Sequence, residues 1–135
     1  MNPNSKIKTL FIDDDRATNF LHKHIARNSD GVDSIRLVHS GIEALNFLEK
    51  CLEDSVEKPN LIFLDINMPA MNGWEFLEQF YMLNEDLVKE INVVILSSSD
   101  DPGDIERFKQ NNKLLDFIRK PLNKEALNSV LAKVG

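Results

Sequence analysis

The chain has 135 residues and a mass of 15.4 kDa, the size of one compact domain, which leaves no room for an enzyme with its cleft between two lobes. Hydrophobic residues at 42% and charged residues at 28% exclude general disorder, because that much apolar surface offsets the entropy of ordering the chain. Sixteen Lys and Arg against 22 Asp and Glu leave a net charge of −6, which repels phosphate backbones and argues against nucleic-acid binding.

The single Cys51 cannot form an internal disulfide and fits a reducing compartment. Met1 to Lys6 lack the apolar run of a secretion leader, and no segment approaches the length of a membrane span. The expectation is a cytoplasmic single domain over residues 1–135, with its core at about 6–134 and no membrane partner.

Taken in chain order, Ile7 to Ile12 reads as a buried strand. Asp15 then caps a helix whose spacing places Phe20, Leu21, His24 and Ile25 on one face. Ser34 to Val38 is the second strand, and Ser40 with Glu43 has the spacing of a capping box. The helix that follows carries Ile42, Leu45, Leu48 and Leu52, with Cys51 as inert packing. After a long approach from Glu53 to Asn60, Leu61 to Leu64 forms a third strand with continuous apolar character, as expected of a strand covered on both faces. Asn72 with Glu75 opens a third helix bearing Trp74, Leu77, Phe80 and Tyr81. Val93 to Leu96 is the fourth strand. Asp101 and Pro102 open a fourth helix to about Gln110, whose apolar edge is only Ile105 and Phe108. Phe117 to Arg119 is the fifth strand, and Asn123 caps a last helix with Leu127, Val130, Leu131 and Val134 inward. Five strands alternating with five helices predict an α/β fold, a doubly wound parallel sheet with helices on both faces. Ligands of such sheets bind at the carboxyl ends of the strands.

Those ends carry the chemistry. The first strand runs into Asp13-Asp14-Asp15, the third into Asp65, the fourth into Ser97-Ser98-Ser99 and the fifth into Lys120-Pro121. Carboxylates crowded at one edge repel unless a hard cation sits among them, and Mg²⁺ takes few carboxylates and bridges to phosphate oxygens. A lysine and a hydroxyl opposite suit an incoming phosphoryl group, with an aspartate as nucleophile. His22, His24 and His39 have no constellation of metal ligands around them.

The segments Phe11 to Asp15, Ser40 to Leu45, Leu64 to Gly73, Val94 to Ser97 and Lys120-Pro121, in this order and at strand ends, closely resemble the receiver domain of two-component response regulators, the CheY-like family with a flavodoxin-like (βα)5 fold. Carried over residue by residue, the resemblance implies Asp65 as phosphoacceptor, Asp14 as direct Mg²⁺ ligand and Asp13 acting through water. It also implies that Asn67 offers the metal its backbone carbonyl, that Ser97 supplies a switch hydroxyl, and that Lys120 neutralises phosphoryl charge. Pro121 would shape the loop presenting the lysine, and Phe117 would be an aromatic switch. The implied partners are a histidine kinase or histidine phosphotransfer protein and a downstream protein target, with no enzymatic turnover beyond self-phosphorylation and slow dephosphorylation. The 14 residues after Pro121 suffice for one helix, so a stand-alone regulator with protein contact as its output is expected. Two other readings stand beside this one. A degenerate receiver would act as a binding module without phosphorylation, and a phosphohydrolase of the haloacid dehalogenase type would also use a strand-end aspartate.

Overall fold

In the computed structural model five strands form one sheet: β1 (Ile7–Ile12), β2 (Val32–Val38), β3 (Leu61–Asp65), β4 (Asn92–Ser97) and β5 (Asp116–Arg119). Residues 6–53, 56–98 and 100–134 are described. The readings placed on Met1 to Ser5, on Asp54 and Ser55 within the approach to the third strand, and on Ser99 fall outside them. The strand order is β2-β1-β3-β4-β5 and each neighbouring pair is parallel. The helices are α1 (Arg16–Arg27), α2 (Gly41–Glu53), α3 (Gly73–Tyr81), α4 (Glu85–Glu90), α5 (Pro102–Gln110) and α6 (Lys124–Lys133). None of them is long and apolar enough to cross a membrane.

Alternation along the central strands feeds two apolar layers. Leu10, Ile12, Ile62, Leu64, Val93 and Ile95 pack with Ala44, Leu48, Trp74, Phe76, Phe80 and Leu87 on the face covered by α2 to α4. Ile7, Phe11, Leu61, Phe63, Val94 and Leu96 meet Ala26, Leu127, Val130 and Leu131 from α1 and α6. Every residue of β3 is buried, and each large apolar side chain so placed is worth about 1.5–3 kcal/mol. A one-residue slip of β3 would draw the Asp65 carboxylate into an apolar layer, where desolvation of an unpaired charge outweighs what one leucine gains. Four apolar residues in a row therefore fix Asp65 at the rim.

Several expectations need correction. There are six helices among the described residues, not five: Asn84 caps the additional short α4 by accepting from the N–H groups of Asp86 and Leu87. The helix from Pro102 to Gln110 lies where expected but is therefore the fifth, and none of its residues is fully buried. β2 and β5 are sheet edges and are only partly covered, and they start two and one residues earlier than read.

The inward face of α1 is Asn19, His22 and Ala26, while Phe20 and Leu21 stand 71% and 44% exposed. The cap and the Asn19 amide set that rotation. Asp15 accepts from the N–H groups of Ala17 and Thr18, and Asn19 donates to main-chain carbonyls at the sheet edge. On α2 the buried positions are Ala44 and Leu48 with Leu45 beside them, leaving Ile42 and Leu52 at 54% and 44% exposure. The capping box at Asn72 and Glu75 is complete. At Ser40 it is half formed, because the Glu43 carboxylate accepts from the N–H of His39 instead of from that of Ser40.

Candidate functional site

The strand order reverses between β1 and β3, and the site is built there. Ile12 is in register with Leu64, so Asp13 and Asp65, one residue further along each strand, lie side by side at the carboxyl edge. Both are buried, while Asp14 is exposed. Carboxylate oxygens of Asp13, Asp14 and Asp65 lie within 4.8 Å of one another, and they are the only such set among the described residues that could share one cation.

Lys120 arrives from two strands away. Its N–H donates to the Ser97 carbonyl at 2.9 Å, continuing the β4–β5 register past Arg119. Its ammonium then lies 2.6 Å from Asp13 Oδ2 and 3.2 Å from Asp65 Oδ1. Backbone donors complete the pair: the Asp15 N–H reaches Asp13 Oδ1 at 2.9 Å, and the Asn67 N–H reaches Asp65 Oδ1 at 3.2 Å. Gly73 makes the turn beneath possible. Its N–H donates to the Ile66 carbonyl at 2.8 Å, and a Cβ there would come within 2.7 Å of the Asp65 carbonyl oxygen. Ala70, in the same loop, has a φ of 65°.

Burial pushes the Asp65 carboxyl up to about 6; Lys120 pulls it down, the Asp13 charge pushes it up again, and the Asn67 N–H offsets part of the rise. For Lys120, burial alone would lower the ammonium, but the Asp13 and Asp65 carboxylates outweigh it and hold it above its ordinary value. Asp65 is thus mostly ionised at neutral pH, with a proton within reach under mildly acidic conditions.

The cavity over these groups holds about 470 Å³ and is walled by the three clustered aspartates and Asp15 with Thr18, Leu21, Asn67, Ser98, Lys120 and Pro121. Larger hollows beside β2 (about 530 Å³) and behind α4 (about 620 Å³) exist, but the cation-sized carboxylate cluster is not among their walls. Chemistry, not size, selects the site.

The fold brings together Asp13, Asp14, Asp65, Asn67, Lys120 and Pro121, all of which the sequence nominated. The Lys120–Pro121 peptide is cis. Ser97 is fully buried at the end of β4, and the serine that walls the cavity is its neighbour Ser98. Phe117 stands outside the cavity, half-buried, its ring 5.6 Å from that of Phe108 on α5. The sequence reading missed Thr18 and Leu21 in the wall and the buried Asn19 behind Asp13. The signal available for Asn19 was a polar residue recurring with His22 and Ala26 at helical spacing.

A family model for the response regulator receiver domain matches residues 9–132. A two-component response regulator from Cytophaga hutchinsonii superposes with a TM-score of 0.87 at 37% identity, covering 96% of this chain and 97% of that one. The Mn(2+)-bound form of the response regulator Rcp1 superposes with a TM-score of 0.72 at 27% identity, over 93% and 90% of the two chains. The phosphorylated cyanobacterial phytochrome response regulator RcpA gives 0.75 at 27% identity, over 95% and 91%. The chain spans 33% to 65% of the length of the first curated relatives it matches.

Proposed function

The chain belongs to the response regulator receiver family, and on that footing we propose that it accepts a phosphoryl group onto Asp65 from a phosphohistidine of a sensor kinase or phosphotransfer protein. The family is regulatory, and its signalling depends on phosphorylation. One observation carries the assignment to Asp65: a buried carboxylate at the rim of a central strand, held against the ammonium of half-buried Lys120 at 3.2 Å with a second carboxylate beside it.

Both the Lys120 ammonium and the Asn67 N–H engage Asp65 Oδ1, which leaves Oδ2 to attack phosphorus. A P–O bond forms to Oδ2 as the P–N bond to the donor imidazole breaks, and the imidazole leaves with the electron pair. Lys120 faces the phosphoryl oxygens and takes up their charge. The oxygen donors of Asp13, Asp14 and Asp65 suit a hard divalent cation, and the Asn67 carbonyl completes the proposed set. Mg²⁺, when bound there, offsets charge on the phosphoryl oxygens. The Mn(2+)-bound Rcp1 and the phosphorylated RcpA support both halves of this reading.

Ser97 is the hydroxyl proposed to read the phosphoryl group. Phe117, through its contact with Phe108, is the proposed link to α5 and the output surface. Leu21, exposed on α1 in the cavity wall, with the exposed Phe20 preceding it on the same helix, gives a phosphodonor protein an apolar place to dock. Pro121 in the cavity wall shapes the loop that presents Lys120, and residues 1–135 are taken as one receiver unit.

Incubation with acetyl phosphate tests the proposal. The expected label appears only with Mg²⁺, is released by hydroxylamine as an acyl phosphate should be, and is absent from Asp65→Asn. Label that survives hydroxylamine or persists in Asp65→Asn overturns the assignment. Absence of label from any donor would leave a degenerate binding module, and sustained turnover of simple phosphomonoesters would mark a phosphohydrolase.

A further inference from the structure

The inner face of α1 is polar where the sheet beside it is apolar. Asn19 and His22 are both fully buried there. The Asn19 amide donates at 3.0 Å to the Asp13 carbonyl and at 3.0 Å to the Val38 carbonyl, so both of its hydrogens hold main chain at the rim. One turn further, His22 lies with its ring centroid 5.8 Å from that of Phe11, and its Nε2 accepts from the Leu122 N–H at 3.4 Å. That acceptance places the ring proton on Nδ1, which, like Asn19 Oδ1, has no hydrogen-bond partner among the described residues. A leucine or methionine would fill the same space and remove the unpartnered Nδ1, but it would leave the Leu122 N–H without its acceptor. What imidazole adds is a single acceptor, directed at the N–H two residues after Lys120.

The segment carrying Lys120 is therefore held at both ends. The Lys120 N–H is tied to Ser97 and the Leu122 N–H to His22, with the ammonium projecting between Asp13 and Asp65. We propose that His22 is a positioning residue for Lys120: by holding the Leu122 N–H it fixes where the ammonium meets the phosphoryl group. Asn19 does the same for Asp13 from the same helix, so one rigid element sets the spacing of the charged groups. A site supported on a helix holds its geometry more closely than one supported on a loop, and small displacements of such groups are costly to transfer chemistry. The inference rests on the reading of Asp65 as phosphoacceptor.

The test uses two substitutions of nearly equal shape. His22→Gln keeps a polar acceptor near the Nε2 position, whereas His22→Met fills the space without one. Acetyl phosphate labelling is measured at saturating Mg²⁺ well below the melting temperature, together with Mg²⁺ affinity, the melting temperature and the NMR shift of the Leu122 amide proton. His22→Met is expected to slow labelling about tenfold, the scale typical of outer-shell substitutions. It should also move the Leu122 amide upfield and leave Mg²⁺ affinity unimpaired, with any fall in melting temperature too small to unfold the protein at the assay temperature. His22→Gln is expected to recover most of the labelling rate and the amide shift. A merely structural histidine would show loss of rate only in step with loss of stability. Wild-type labelling by His22→Met, or equal slowing in the two variants, overturns the proposal. Failure of the wild-type protein to be labelled at Asp65 would instead overturn the phosphoacceptor reading.

Discussion

His22 and Asp65 titrate in opposite senses over one pH window, so their effects on stability are largely hidden until one of them is removed. Burial drives His22 down from 6.5 to about 4, with Asp13 raising it and Lys120 lowering it further. The folded state thus favours the neutral ring, and this stability is present above pH 6.5 and lost as pH falls towards about 4. Asp65 runs the other way. Its folded value of about 6 lies above the ordinary 3.8, so the folded state holds the proton more tightly and gains stability as pH falls from about 6 towards 3.8. Each pH unit of either window is worth about 1.4 kcal/mol at most. Discounting for water at the open side of the site leaves on the order of 2 kcal/mol for each group.

Urea unfolding of the metal-free protein at pH 6.5, 5 and 4 tests this. Relative to wild type, Asp65→Asn should lose about 2 kcal/mol across that range, because only the His22 slope remains. His22→Met should gain a similar amount over the same range. Carboxylates away from the site contribute equally to each comparison and cancel. Variant and wild-type curves that stay parallel from pH 6.5 to 4 would refute the assignment of opposed titrations to these two residues.

Lys120→Met removes the cation that lowers the Asp65 carboxyl, so the Asp65 titration followed by carboxyl NMR should move above about 6. Asp14→Ala should abolish most of the rise in melting temperature that millimolar Mg²⁺ gives wild type; binding at a hundredfold excess over Kd is worth about 2.7 kcal/mol. An unchanged wild-type melting curve in Mg²⁺ would argue against the metal site. Gly73→Ala forces a Cβ to within 2.7 Å of the Asp65 carbonyl oxygen. It should lower stability by about 1–3 kcal/mol, as overpacking does, and slow Asp65 labelling as well, which an exposed control such as Gly103→Ala should not do.

The rim chemistry was legible because it sits where apolar runs stop. Leu61 to Leu64 leave no ambiguity about where Asp65 falls, and the same holds for Asp13 after Ile12. The faces of α1 and α2 were harder to read. Hydrophobicity alone selects Phe20 and Leu21 as core, but helix rotation is decided by where the backbone acceptors Asp13 O and Val38 O lie, and these are properties of the assembled sheet. Ser97 and Ser98 show a related limit: sequence places both at the strand end, and only the pleat decides which one is buried and which walls the cavity. The short α4 was missed because six residues carry too few apolar positions to declare a period, and its clearest marker is the cap at Asn84.

α5 rests on the domain by side-chain moorings and not by a buried stripe. These include the Trp74 indole N–H donating to Asp104 at 2.9 Å, the Arg107 guanidinium 4.8 Å from the Trp74 ring centroid, and the Phe108–Phe117 ring pair. Taken at about 1.5–3, 0.5–1 and 0.5–1.5 kcal/mol, together they amount to a few kcal/mol. That is close to the roughly 5.5 kcal/mol needed to carry a two-state element from 1:99 to 99:1. A helix seated this shallowly can be repopulated by a modest difference in affinity between its two arrangements, while β3, sealed on both sides, opens only when the whole domain does. Trp74, mooring α5 through both its N–H and its ring face, makes that repopulation readable as a change in intrinsic fluorescence.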